Sequence, residues 1–207
     1  DGLCGFKHKK ELDYKDCTTD VKFRVQSIEM PCGFGTHIDA PAHCIPHGKT
    51  IDELDLNDLI SPCVVIDISQ KAHADYQCTT EDIIYFEQQH QPIKPHDFVI
   101  IWTGWSKYWG SPEQYRNHLI FPTVSKEAAE LLIARNIIGL GIDTLGPDTP
   151  DSGYPVHQIM LSHGKYLIEN IAYAPPASGS FILIAPLPII GGTEAPVRLI
   201  GLIKNEK

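Results

Sequence analysis

The stretch "GTHIDAPAHCIPHG", residues 35–48, places His37, Asp39, His43 and His47 within eleven positions and stiffens them with Pro41 and Pro46. "GTHID" alternates, so on a β-strand His37 and Asp39 project from one face. Pro41 has no N–H to give a neighbouring strand, so pairing ends there. A proline-fixed turn then returns His43 toward the other two, and His47, between Pro46 and Gly48, reads as a loop residue. Any one of these histidines has an ordinary structural explanation. Together, imidazole and carboxylate on one face suit Zn²⁺, Mn²⁺ or Fe²⁺.

Outward from this strand the pattern alternates between short β-rich runs and helical segments. "VKFRVQSIEM" (21–30) alternates weakly and predicts a strand in an otherwise polar first thirty residues. "TIDELDLNDLI" (50–60) predicts a short helix or turn with Leu54, Leu59 and Ile60 inward. "CVVIDIS" (63–69), "DFVIIWTG" (97–104) and "IIGLGIDT" (137–144) are β-branched runs that predict buried strands. "GSFILIAPLPI" (179–189) and "APVRLIGLI" (195–203) predict two more. Helices are predicted over "TTEDIIYFEQQ" (79–89), capped by Thr79 or Thr80, and over "SKEAAELLIARNI" (125–137), capped by Ser125. The second carries Ala128, Leu131, Leu132 and Ile133 as an apolar stripe. A short third starts at Pro155. "GWSKYWGSPEQYRNHLIFP" (104–122) reads as a long aromatic loop. The fold expected is α/β: one domain over 1–207, with a mixed β-sheet partly curled into a barrel and helices flanking it.

Bulk properties narrow the function. A chain of 207 residues, 43% hydrophobic and 21% charged, can bury one substantial core and is not disordered by composition. A net charge of −9 argues against nucleic acid as a partner. No basic run suggests a membrane surface, and no apolar run reaches the roughly 18 residues of a span. The sequence starts at Asp1 rather than Met, so the lack of a visible signal peptide carries no weight. Cys4, Cys17, Cys32, Cys44, Cys63 and Cys78 include no Cys-x-x-Cys pair. They are read as free thiols of a reducing compartment, the cytoplasm, in a chain large enough to need no disulfide scaffold.

"GTHIDAPAH" resembles the signature of the cyclase family of metal-dependent hydrolases, whose best-known members are bacterial kynurenine formamidases, with isatin hydrolases as relatives. The family pattern is His-x-Gly-Thr-His-x-Asp-x-Pro-x-His. "TIDEL", "VVIDIS", "TGW", "GIDT", "YPVHQIML…GKYLIENI" and "APVR" follow in family order, so the resemblance runs from about residue 30 to 203. It implies a swivelling β/β/α fold and a divalent metal, Zn or Mn, as one or two ions. By the same resemblance His37, Asp39, His157 and Glu169 are metal ligands and His43 does the acid–base work. The first histidine of the pattern falls on Gly33. An imidazole there would share the strand face of His37, and Cys32, one residue away, would point to the other.

The implied reaction is hydrolysis of a small aromatic amide, N-formylkynurenine to kynurenine and formate. A bound divalent ion acidifies water, and His43 takes the water's proton and returns it to the leaving nitrogen. No Gly-x-Ser-x-Gly elbow points to a serine hydrolase instead. Trp105 and Trp109, in an aromatic cluster with Trp102 and Tyr108, are candidates for the substrate wall. Asp143 is read as orienting a ligand or capping a strand, His163 as a helix-end residue, and Glu194 and Arg198 as possible lining groups. A relative that opens a cyclic amide or lactone, as an isatin hydrolase does, is the second enzymatic reading. A non-catalytic binding protein that kept the fold without the ligand at Gly33 is the reading from another class. The family resemblance also implies a homodimer or homotetramer.

Overall fold

The structure is a computed structural model that describes residues 5–203. Eleven strands and four α-helices are present among them: β1 (Lys7–Leu12), β2 (Val25–Glu29), β3 (His37–Asp39), β4 (Ile60–Asp67), β5 (Gln77–Cys78), α1 (Thr80–Gln89), β6 (Phe98–Trp102), α2 (Pro112–Arg116), β7 (Thr123–Val124), α3 (Lys126–Ala134), β8 (Gly139–Ile142), α4 (Pro155–Ser162), β9 (Tyr166–Glu169), β10 (Phe181–Pro186) and β11 (Glu194–Leu202). Seven strands close a barrel in the order β10-β11-β3-β9-β8-β6-β4. β4, β6, β8 and β9 run parallel, whereas β3 is antiparallel to β9 and β11, and β10 to β11 and β4. The expected partly curled sheet is therefore a fully closed one.

Side-chain alternation divides the barrel into two apolar layers. Phe98 and Ile100 of β6, Tyr166 and Ile168 of β9, Ile38 of β3 and Ala195 of β11 fill the interior. Val99 and Ile101, Leu140 and Ile142, and Leu167 face outward into a second cluster with Ile83 and Phe86 of α1, Leu132 of α3 and Met160 of α4. Strands covered on both faces read as unbroken apolar runs, which is why "FVIIW" shows no alternation. Since Ile38, Ile168 and Ala195 point in, the residues beside them, His37, Asp39, Glu169 and Glu194, point out. The helical layer contributes α4 next to them, and His157 sits on that helix.

Several expectations need correction. Ile60 is half exposed, because it opens strand β4 rather than closing a helix. The aromatic segment after β6 is not a loop: it forms a 3-10 turn at Trp105–Tyr108, then α2, then a second 3-10 turn at Asn117–Leu119. β1 and β9 were not expected. Gly33 lies in a turn before β3, not on the strand, so the argument from a shared face fails for Gly33 and Cys32 alike. The N-caps came out as read, with Thr79 opening α1 and the Ser125 hydroxyl accepting from the Ala128 N–H. No disulfide joins Cys17, Cys32, Cys44, Cys63 and Cys78; Cys4 lies outside the described residues.

Candidate metal centre

β3 sits between β9 and β11 in a register that decides the chemistry. His37 is opposite Glu169, and Asp39 is opposite Glu194. Four polar side chains are thus delivered to one outward patch by three neighbouring strands. The 3-10 turn Pro41–His43 then folds His43 over the patch, with Pro41 at its first position. From the other side α4 brings His157, whose Nε2 lies 3.1 Å from Glu169 Oε1 and 3.7 Å from Asp39 Oδ2. His37 Nε2 stands 3.5 Å from Asp39 Oδ1 and 3.4 Å from Glu169 Oε2.

Both imidazoles are oriented by their other nitrogen. Nδ1–H of His37 donates to the Gly35 carbonyl at 2.9 Å, and Nδ1–H of His157 donates to Asp148 Oδ2 at 2.8 Å. Each Nε2 lone pair is thereby aimed at the carboxylates, the arrangement a ligating histidine requires. Asp148 also accepts the backbone N–H of Val156 and His157, capping α4 from outside the helix. Sequence reasoning missed Asp148 because it lies nine residues before the histidine it holds.

The site is electrostatically incomplete without a cation. Asp39 is 1% exposed and Glu169 7%; Asp39 Oδ1 has no hydrogen-bond partner, and Glu169 Oε1 has only the His157 imidazole, at 3.1 Å. Among the described residues no lysine or arginine pairs with Asp39, Glu169, Asp148 or Glu194; their only ionic neighbours are histidines. Buried carboxylates without a counter-charge are costly. In the metal-free protein protons fill that role. Burial alone would lower His37 and His157, but the facing carboxylates overcome it and raise them to about 9 and about 10. Burial and Glu169 push Asp39 up to about 7, whereas Glu169 is held below its ordinary range: burial opposes this, and the two imidazoles win. The Nε2–carboxylate separations of 3.1–3.7 Å fit the edge of a tetrahedron of ligands around one ion, ~3.4 Å for bonds near 2.1 Å. Two overlapping donor sets result: Asp39 with His157 and Glu169, and Asp39 with His37 and Glu194. The first is the set expected from the sequence, and Glu194 in the second is not.

The remaining candidates separate. His43, a third exposed, faces Glu194 Oε2 at 3.8 Å through Nδ1, and its ring centre is 6.3 Å from that of His157. It overlooks the donors from the rim. Trp105 is buried, and its indole N–H donates to the Tyr115 carbonyl at 2.9 Å, so its packing is that of a core residue. Trp109 is 40% exposed and lines a cleft of about 200 Å³ with Phe34, Gly35, Tyr115, Arg116 and Asn170. Phe34 and Gly35 lead into His37 and Asn170 follows Glu169, so the cleft is walled by chain neighbours of the donors, although no donor lines it. Asp143 touches no histidine; it accepts from the Thr103 N–H and hydroxyl and the Ser106 N–H, fixing the turn after β6. Arg198 lines a different cleft with Thr36 and Tyr173, which none of the donor residues lines. His163 ends α4 and bonds to the Ile159 carbonyl, and His47 is a loop residue at φ 63°.

Comparison with known proteins identifies the family. A family model described as "Putative cyclase" matches residues 6–149. The isatin hydrolase of Roseibium aggregatum is 32% identical over 189 residues, 82% of this chain and 71% of that protein. The kynurenine formamidase of Bacillus cytotoxicus is 26% identical over 188 residues, 89% of this chain and 83% of that one. The solved structure of isatin hydrolase A from Labrenzia aggregata bound to benzyl benzoate superposes with a TM-score of 0.85 at 31% identity, covering 95% of this chain and 82% of that one. With its barrel, its signature and its donor cluster accounted for together, the chain belongs to the cyclase family of metal-dependent hydrolases.

Proposed function

We propose that this protein hydrolyses the C–N bond of a small aromatic amide, in the manner of a kynurenine formamidase, with a divalent ion, Zn²⁺ or Mn²⁺, held by Asp39, His157 and Glu169. The observation that carries the reading is the convergence of two buried carboxylates, Asp39 and Glu169, with the Nε2 atoms of His37 and His157 at 3.1–3.7 Å, with no lysine or arginine beside them among the described residues. Such an ion supplies Lewis acidity and a water acidic enough to lose its proton near neutral pH. The protein's own part is positional. Asp148 keeps His157 in the ligating tautomer. His43, at the rim, can take a proton and return it to the departing nitrogen, help typically worth about 10²–10⁴-fold. Trp109, Tyr115 and Phe34 offer an aromatic ring apolar faces in the neighbouring cleft, and Arg116 offers a cation in the same cleft.

A second reading, opening of a cyclic aromatic amide, is favoured by the higher identity to the isatin hydrolase than to the kynurenine formamidase. Its substrate class differs, but its site is the same. The protein loaded with Zn²⁺ or Mn²⁺ should turn over N-formylkynurenine or isatin and lose that activity to a chelator. A metal-loaded protein inert toward both and toward simple formanilides would overturn the enzymatic reading in favour of a binding protein. The exposed apolar side chains Phe23, Val25 and Ile28 on the β1–β2 hairpin support assembly into a homodimer or homotetramer.

A further inference from the structure

Gly33 stands where the family signature has a histidine, and the structure shows what fills the space. A Cβ added at Gly33 would overlap Glu194 Oε1 and stand 3.3 Å from His37 Nε2. The volume that an imidazole at this position would enter is taken by the Glu194 carboxylate, arriving from β11 opposite Asp39. The two Glu194 oxygens divide their surroundings: Oε1 faces Gly33, and Oε2 faces His43 Nδ1 at 3.8 Å. Donor atoms of His37, Asp39 and Glu194 all lie within 4.8 Å of one another. Asp39 Oδ1, buried and unpartnered, is 3.5 Å from His37 Nε2 in the same group.

We propose that Glu194 replaces the absent histidine as a ligand, so that His37, Asp39 and Glu194 form a second divalent-cation site sharing Asp39 with the first. The proposal rests on the reading that Asp39, His157 and Glu169 hold an ion. The exchange is chemically specific. An anionic oxygen replaces a neutral nitrogen, so the set becomes one imidazole and two carboxylates, a harder donor set suited to Mn²⁺. It also explains why glycine is present: any side chain at residue 33 would expel the carboxylate.

The test is bound Mn²⁺ per chain, by equilibrium dialysis and elemental analysis, with folding checked by circular dichroism. Wild type should hold about two ions, one for each donor set, and Glu194→Ala about one. The double variant Gly33→His with Glu194→Ala should return toward two, because the imidazole re-enters the vacated space. Glu194→Gln, which keeps the shape, should weaken the second ion by at least about tenfold and carries the test if the alanine variant does not fold. Glu194→Ala with wild-type stoichiometry and affinity overturns the proposal, including the case in which it only slows turnover and Glu194 serves His43 alone. Wild type with one ion that Glu194→Ala leaves in place overturns it while the Asp39, His157 and Glu169 site stands. Wild type that binds no ion, or whose metal content ignores Glu169→Gln, overturns the underlying reading as well.

Discussion

Replacing Asp148 separates a helix cap from a metal-positioning group. Its Oδ1 accepts the Val156 N–H at 3.1 Å; its Oδ2 accepts the His157 N–H at 2.9 Å and Nδ1–H at 2.8 Å. The N-cap residue of α4, Tyr154, is left-handed and offers no side-chain bond, so Asp148 alone serves the start of this helix. Asp148→Ala would strand two backbone donors and the Nδ1–H where Asp148 is 5% exposed. At about 1–3 kcal/mol for an unsatisfied buried donor, a loss near 3 kcal/mol is expected. For a chain of this size that is roughly 6–12 °C in melting temperature.

Asp148→Asn is the sharper perturbation. Its amide oxygen can replace Oδ2 and still accept both His157 donors, but the NH₂ group must then face the Val156 N–H. In the flipped amide, NH₂ meets His157 Nδ1 and drives the proton to Nε2, abolishing the ligating lone pair. Either way the charge that makes His157 more basic is gone. A weakening of about 10–100-fold in metal affinity follows, or about 1.4–2.7 kcal/mol. Competition with a chromophoric chelator measures it, and ¹⁵N shifts of His157 report the tautomer. A folded Asp148→Asn variant with a Kd within about twofold of wild type would refute the reasoning and leave Asp148 as a cap only.

Other perturbations test the rest of the site. His37→Ala should lower metal content and turnover together, whereas His43→Ala should keep its metal and lose about 10²-fold or more in kcat; equal metal loss in both would make His43 a ligand. Gly146→Ala places a Cβ 2.7 Å from Glu169 Oε1, so it should lower metal affinity more than melting temperature, and an unchanged Kd would show that Glu169 shifts freely. In the metal-free protein His37 and His157, raised to about 9 and about 10, stabilise the fold fully below about pH 6.5, a contribution lost as pH rises through those values. Asp39, raised to about 7, adds a contribution present in acid and lost as pH rises from about 4 to 7, and the depressed Glu169 contributes above its unfolded pKa and fades only in acid. Melting temperature without metal should therefore fall from pH 6.5 to 10, while the loaded protein, with neutral ligating imidazoles, should fall less; parallel curves would contradict this assignment.

The legible parts of the sequence were those whose signal is local. "GTHID" alternates over five residues, and His37 and Asp39 do share an outward face. Thr79 and Ser125 announce their helices by side-chain chemistry within three residues. Signals that need a partner element were lost. β1 is exposed over five of its six residues and has no apolar face to betray it. β9 has four residues beginning three after a helix C-cap, too short for a period. The aromatic segment concealed α2, a single five-residue turn. Glu194, read from sequence only as a lining group, carries no local mark of a donor role, and Asp148 none of a role toward His157: one depends on the pairing of β11 with β3, the other on where α4 docks.

That dependence on pairing also explains how a ligand can move between strands. Ile38, Ile168 and Ala195 are 0% exposed, and they sit beside one another across β3, β9 and β11. Sliding β3 by one residue would drive His37 and Asp39 into the barrel interior and expel Ile38, so burial of these apolar side chains fixes the register. Once the register is fixed, the outward side chains of His37, Asp39, Glu169 and Glu194, with the turn before β3, gather around one small volume. The requirement there is a set of donors of the right charge and spacing, and the chain position of each donor is secondary. A histidine lost at residue 33 can then be answered by a carboxylate at residue 194, far away in sequence but adjacent across one pair of strands. The apolar face of β3 therefore does as much to define the metal centre as the ligands do. A core substitution such as Ile38→Ala, which removes the anchor without touching a donor, should weaken metal binding at both proposed donor sets, and an unchanged Kd would show that the register does not depend on this anchor.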